Sequence, residues 1–244
     1  PGYLTLTNLN LSPYPEQGES MKKFVYFLAI FFIFGCNSKS SILPTSQTVK
    51  LAITSNNPVE ISIDEKLQNR LSGFSIIGDT AYANLNAYAS DYNLYREFNI
   101  LRNSSVKNIT FYVNSGGGSV LDFFAVISVI KNNEPYFKMK AIANGVIASM
   151  AVPLYLIVPE RIACSNTVFM LHPISISERG QFSLMDIETR ANLMKIFTKT
   201  YSDILLKNSN LTKEKLDEYL LTPGDKYFNV SEAAQMGFVH KVIP

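Results

Sequence analysis

Residues able to do acyl-transfer chemistry occur at three places in this chain. Ser149 lies within Gly145-Val146-Ile147-Ala148-Ser149-Met150-Ala151, between the apolar runs 139–143 and 152–158. The first run is short and predicts a buried strand; the second predicts a buried helix, with Pro153 in the first turn, where a missing N–H costs little. A serine at a strand-to-helix turn is rigidly held, and free backbone amides beside it are suited to bind an oxyanion. His172 ends the apolar run 167–171 and precedes Pro173, which favours an extended or turned backbone and directs the ring into a cleft. The third place is Asn114-Ser115-Gly116-Gly117-Gly118-Ser119, between a predicted strand (106–113) and a predicted helix (120–131). It matches neither the dinucleotide fingerprint, since Leu121 stands at the third glycine position, nor a P-loop. Its glycines therefore suit close backbone approach with exposed N–H groups, as an oxyanion hole needs. Each place has a plain structural alternative: a close-packed turn for Ser149, and a satisfied core histidine for His172.

The composition narrows the classes. The 244 residues carry a formal charge of +2, with 47% hydrophobic and 17% charged residues, which fits a globular chain and gives no reason to expect nucleic acid as a partner. The two cysteines, Cys36 and Cys164, form no C-x-x-C pair or Cys/His cluster, so no metal site is expected. With only His172 and His240 present, any histidine chemistry must use one of them.

Residues 1–20 read as translated leader ahead of Met21, and residues 21–36 as a secretory signal. Lys22-Lys23 precedes the apolar run 24–34, which is short for a membrane span, and then Gly35-Cys36. Ile33-Phe34-Gly35-Cys36 resembles a bacterial lipobox, which implies lipid on Cys36 and a membrane-anchored lipoprotein outside the cytoplasm; an uncleaved N-terminal anchor is the alternative. Residues 37–48 are a polar linker and 49–73 an N-terminal extension that includes a small hairpin from 49–53 and 59–63. Beyond it the pattern predicts a strand at 74–78 and a helix over 81–99, with Leu85, Tyr88, Tyr92, Tyr95 and Phe98 on one core-facing stripe. After His172 come a loop over 175–183 and a long helix over 184–208, striped by Ile187, Ala191, Met194, Phe197, Tyr201 and Leu205. A helix at 211–221, a turn at 223–225, a short helix with Ser231 as its N-cap and Gly237 at its end, and a strand at 238–243 complete the chain.

The segment 74–244 resembles the Clp protease proteolytic subunit family, within the wider crotonase-like group. The resemblance rests on Tyr112-Val113-Asn114-Ser115-Gly116-Gly117-Gly118, the 145–151 turn, Phe169-Met170-Leu171-His172-Pro173, Gly180-Gln181 before Asp186-Ile187-Glu188, and Asp225-Lys226-Tyr227-Phe228 before Glu232-Ala233 and Gly237, in that order. It implies an α/β crotonase-like fold of repeated β-β-α units with a protruding helical handle. It also implies a serine endopeptidase that needs no cofactor. Ser149 would be the nucleophile, His172 the base and Asp225 the orienting acid. The Gly118 and Met150 amides would form the oxyanion hole, and Gly116 and Gly117 would bind the substrate backbone. The implied partners are a peptide or unfolded protein and further copies of the chain. A lipid-anchored member outside the cytoplasm has no ATP, so the cytoplasmic Clp ATPase is not expected as a partner.

The chain departs from the family pattern. Gly116 replaces a proline, His240 replaces an aspartate and reads as surface, and the 180–186 stretch is longer by about two residues, which bears on ring stacking. Two other functions stay open. One is a catalytically silent, peptide-binding scaffold; the other is a crotonase-like acyl-CoA enzyme, which would hold a thioester enolate with two amides and need no Ser–His–Asp set.

Overall fold

The computed structural model of the chain describes residues 47–51, 59–63, 65–85, 91–177 and 179–244. The leader, the signal segment with Cys36 and nearly all of the linker lie outside the described residues. Among the described residues no helix is long and apolar enough to cross a membrane.

The compact unit that carries the described residues begins at about Pro44. It opens with a separate antiparallel pair, β1 (Gln47–Leu51) and β2 (Val59–Ile63), in the register Gln47↔Ile63. A one-turn helix, α1 (Glu65–Gln68), leads into the main sheet. There β3 (Phe74–Ile77) pairs antiparallel with β4 (Thr80–Leu85). Helix α2 (Asp91–Arg102) precedes β5 (Asn108–Ser115), and α3 (Val120–Asn133) precedes β6 (Lys138–Ala148). After α4 (Ala151–Leu156) come β7 (Glu160–Cys164) and β8 (Val168–Leu171). The long α5 (Leu184–Lys207), then α6 (Lys213–Leu221), β9 (Lys226–Asn229), α7 (Val230–Gln235) and β10 (Lys241–Ile243) end the chain. The eight-stranded sheet runs β10-β7-β6-β5-β4-β3, with β8 pairing β6 and β9 pairing β8. Its strands from β4 to β7 are parallel neighbours joined by helices, as an α/β fold requires.

Strand β6 is the spine of the sheet. It keeps β5 on one side, while on the other its residues 140–143 pair with β7 and its residues 146–148 pair with β8. The change of partner falls at Asn144-Gly145, where Gly145 has φ +115° and the β5–β6 register shifts between Val113 and Ser115. The Asn114 side-chain oxygen accepts the Val146 amide at 3.0 Å across that irregularity. The positive φ favours glycine at 145, and a Cβ there would also come within 2.9 Å of the same oxygen.

The sheet buries Phe111, Ile109, Ala141, Ala143, Ile147 and Phe169 completely or nearly so, and Tyr155 of α4 packs on Phe169 with ring centroids 5.7 Å apart. Two buried charged residues tie loops to this core. Glu97 accepts the Ser72 amide and hydroxyl at 2.7 and 2.6 Å and the Gly73 amide at 3.0 Å. Arg161, only 8% exposed, donates to the carbonyls of Leu156, Val158, Asn208, Gly237 and Phe238, binding the ends of three helices to the C-terminal segment. Burial lowers the Arg161 pKa, and five neutral acceptors replace the water that the cation loses.

The structure corrects several boundaries. The helix expected over 81–99 starts at Asp91; Thr80–Leu85 is strand β4 instead, with Ala81, Ala83 and Leu85 alternating inward. Pairing with β5 on one edge and β3 on the other outweighs the weak strand propensity of alanine. The α7 cap is Asn229, not Ser231: its side chain accepts the Ser231 and Glu232 amides at 2.9 and 3.0 Å, and Glu232 returns the bond to the Asn229 amide. The final strand is shorter than 238–243, because Phe238 and Val239 are packed into the core before β10 begins. The α5 stripe is buried only at Tyr201 and Leu205, whereas Ile187 is 55% exposed.

Candidate active site

The Ser149 turn is tighter than its sequence indicates. Strand β6 continues through Gly145-Val146-Ile147-Ala148, which leaves Ser149 and Met150 alone between strand and helix. Ser149 has φ +54°, the only positive φ at a non-glycine residue among those described. Such a conformation costs about 1–3 kcal/mol and persists where surrounding contacts over-determine it. Here the Ser149 amide donates to the Met170 carbonyl at 2.9 Å, and the Ser149 carbonyl accepts the Val152 amide at 3.0 Å and the Tyr201 hydroxyl at 3.1 Å.

Strand pairing brings the histidine to the serine. Val146, Ile147 and Ala148 of β6 lie beside Val168, Phe169 and Met170 of β8, so the end of β8 reaches the turn just as β6 ends. His172 Nε2 then lies 2.7 Å from Ser149 Oγ, a hydrogen bond between residues 23 apart in the chain. A neutral imidazole in this arrangement can take the hydroxyl proton as the oxygen attacks an acyl carbon. Both side chains are half-buried.

The glycine loop closes over the same turn. Gly117 has φ +88°, and a Cβ there would lie 2.7 Å from Ser149 Cβ, 2.8 Å from the Ala148 oxygen and 2.9 Å from the Met150 nitrogen. The Gly117 amide donates to the Ser115 hydroxyl at 3.2 Å. Gly116 and Gly118 are exposed beside it. Among the described residues neither the Gly118 nor the Met150 amide donates a hydrogen bond to the protein.

Asp225 immediately precedes the adjoining strand β9. Leu171 of β8 pairs with Lys226 of β9 in antiparallel register, and one further step sets Asp225 across from His172. Its exposed carboxylate instead accepts the Tyr227 hydroxyl at 3.2 Å, and that bond raises the Tyr227 pKa. Among the described residues His172 and Asp225 share no hydrogen bond. The backbone therefore brings Ser149, His172 and Gly117 into one cluster and leaves the Asp225 carboxylate turned elsewhere. His240 lies apart from it, its Nδ1 accepting the Arg161 amide at 3.3 Å. The described residues contain no group of three or more His, Cys, Asp or Glu side chains able to hold a metal. In the sequence Tyr201 reads only as one member of the apolar stripe on the long helix, and nothing local marks its hydroxyl.

Comparison with known proteins agrees with this architecture. The sequence model of the Clp protease family matches residues 89–244, and the chain belongs to that family. It is 30% identical over 142 residues to the ATP-dependent Clp protease proteolytic subunit 3 of Rhizobium johnstonii, covering 57% of this chain and 70% of that protein. The subunit of the same name from Rhizobium etli is 29% identical over the same shares. Among solved structures, a point mutant of ClpP1 from Listeria monocytogenes superposes with a TM-score of 0.55 at 21% identity, over 66% of this chain and 90% of that one, a likeness of fold.

The Gly117 contact yields a direct prediction. Gly117→Ala places a methyl group against backbone atoms on both sides of Ser149, which cannot move away as a flexible side-chain tip would. The variant should lose at least about 100-fold in the rate of serine modification by a fluorophosphonate, comparable to loss of an oxyanion donor, while Gly116→Ala, with open space at its Cβ, should lose far less. Equal rates in the two variants would remove Gly117 from the site.

Proposed function

We propose that this chain is a serine endopeptidase of the Clp proteolytic-subunit type, acting on peptides or unfolded proteins. The observation that carries the reading is the 2.7 Å contact between His172 Nε2 and Ser149 Oγ at a strained strand-to-helix turn. In this mechanism His172 Nε2 accepts the Ser149 proton as Oγ bonds to the peptide carbonyl carbon. The Gly118 and Met150 amides hold the tetrahedral oxyanion, while Gly116 and Gly117 align the substrate backbone. Collapse breaks the C–N bond, and the imidazolium gives its proton to the departing amine. Water then attacks the acyl-enzyme with His172 again as base, releasing the acid and restoring Ser149. Asp225 serves as orienting acid once its carboxylate turns from Tyr227 to the Nδ1–H of His172, across the β8–β9 register.

A second reading is a catalytically silent scaffold that binds peptide. It is favoured by one observation, the bond of the Asp225 carboxylate to Tyr227. Fluorophosphonate labelling of the full chain separates the two. The peptidase should label, and Ser149→Ala and His172→Ala should abolish the label. A chain that stays unlabelled in every assembly state is the scaffold.

The reading extends to assembly and location. Leu184, Met185, Ile187 and Ile196 on α5 are 55–76% exposed, uncovered apolar side chains that support a homo-oligomer within this family. Multi-angle light scattering should give a multiple of the chain mass; a monomer rules the assembly out. The Gly35-Cys36 signal supports a lipid anchor in a bacterial envelope, where hydrolysis proceeds without an ATPase partner. Cys36→Ser should then release the protein from membranes, and unchanged membrane association would discard the anchor.

A further inference from the structure

The peptide group that follows Ser149 has two faces with different duties. Its carbonyl points into the protein, where it accepts the Val152 amide at 3.0 Å and the Tyr201 hydroxyl at 3.1 Å. The peptide is trans, so the Met150 N–H points the opposite way. The glycine loop lies beside this peptide, with the Cβ position of Gly117 2.9 Å from the Met150 nitrogen. Tyr201 is only 1% exposed and sits in the C-terminal half of the 24-residue helix α5. Burial raises its pKa, so the hydroxyl stays protonated and can only remain a donor to this acceptor. Among the described residues the hydroxyl has no other partner.

We infer that Tyr201 is a positioning residue for the Ser149–Met150 peptide: its hydroxyl fixes the carbonyl inward and thereby presents the Met150 N–H outward to the oxyanion. The inference rests on the reading of Ser149 as nucleophile. Two effects act together. A second donor resists rotation of a peptide held beside a residue at φ +54°, and rotation would put an oxygen where the oxyanion must sit. A hydrogen bond to a carbonyl also polarises its own peptide, which strengthens the N–H as a donor. The long helix is in this way tied to the chemistry through one hydroxyl.

Tyr201→Phe removes that hydroxyl and keeps the ring. In the full chain, kcat for a short peptide and the rate of fluorophosphonate labelling should each fall roughly tenfold, below the 10²–10³ expected for removal of a whole oxyanion donor. KM should stay within about twofold, because the ground-state carbonyl asks little of the oxyanion site. Affinity for a peptide boronate should fall with kcat, while the pH–rate profile keeps the shape it has in the parent. A thermal midpoint measured alongside separates stability from chemistry: a lowered midpoint with parental kcat and boronate affinity overturns the inference and makes Tyr201 structural. If Tyr201→Phe does not fold, replacement of Tyr201 by a ring-fluorinated tyrosine preserves the hydroxyl and changes its acidity. The inference then requires kcat to change with that acidity, and a kcat unchanged by fluorination overturns it. A parent chain that never labels overturns the nucleophile reading itself, a result distinct from a labelled parent with an equally active Tyr201→Phe.

Discussion

The hydrogen bond from the Ser149 amide to the Met170 carbonyl is the constraint on which the site depends. At 2.9 Å it extends the β6–β8 pairing one step beyond the last strand residue, into the turn itself. It holds Ser149 in a conformation that an isolated serine would leave, and it fixes the height of the turn relative to the end of β8. His172 is two residues beyond Met170, so its ring arrives at the hydroxyl as a consequence of strand register. A slip of one residue would turn the β8 side chains to the opposite face and separate the pair.

That register is available because β6 changes partner. A parallel strand flanked by β5 and β7 along its full length would leave no room for β8, and the serine turn would have no histidine beside it. Gly145 and the Asn114 side chain manage the change at the shift in the β5–β6 ladder. The same region sends the chain from β5 into the glycine loop, and Gly117 returns to touch the Ser149 turn. One irregularity in the sheet thus positions the serine, the histidine and the loop together.

The remainder of the fold supports that irregularity from below. Tyr155 and Phe169 are fully buried against each other, and the Tyr155 hydroxyl donates to the Ile162 carbonyl at 2.9 Å. Arg161 then joins the end of α4 to the segments after α5 and α7 through carbonyl oxygens alone. A buried guanidinium so supplied holds its neighbours in one arrangement, since any shift leaves a charged N–H unpaired. Asp225, by contrast, is an exposed residue just before β9, where its carboxylate finds the hydroxyl of Tyr227 two residues away.

The candidate site was legible in the sequence wherever it resides in a contiguous stretch. The glycine run, the serine between two apolar runs and the histidine before Pro173 each follow from local spacing, and their order carried the family resemblance. The α5 helix, expected over 184–208, is local for the same reason. Strand β4 was not legible, because Ala81 and Ala83 become strand residues only between β3 and β5. The partner change of β6, the carbonyl cage of Arg161 and the Tyr201 hydroxyl on the Ser149 carbonyl were not legible either. Each joins residues far apart in the chain: Tyr201 and Ser149 are separated by 52 positions, and Arg161 and Phe238 by 77. Residue type and spacing by themselves determined which groups could react. Tertiary structure decided which of them meet, because strand register and buried hydrogen bonds exist only after distant segments have packed.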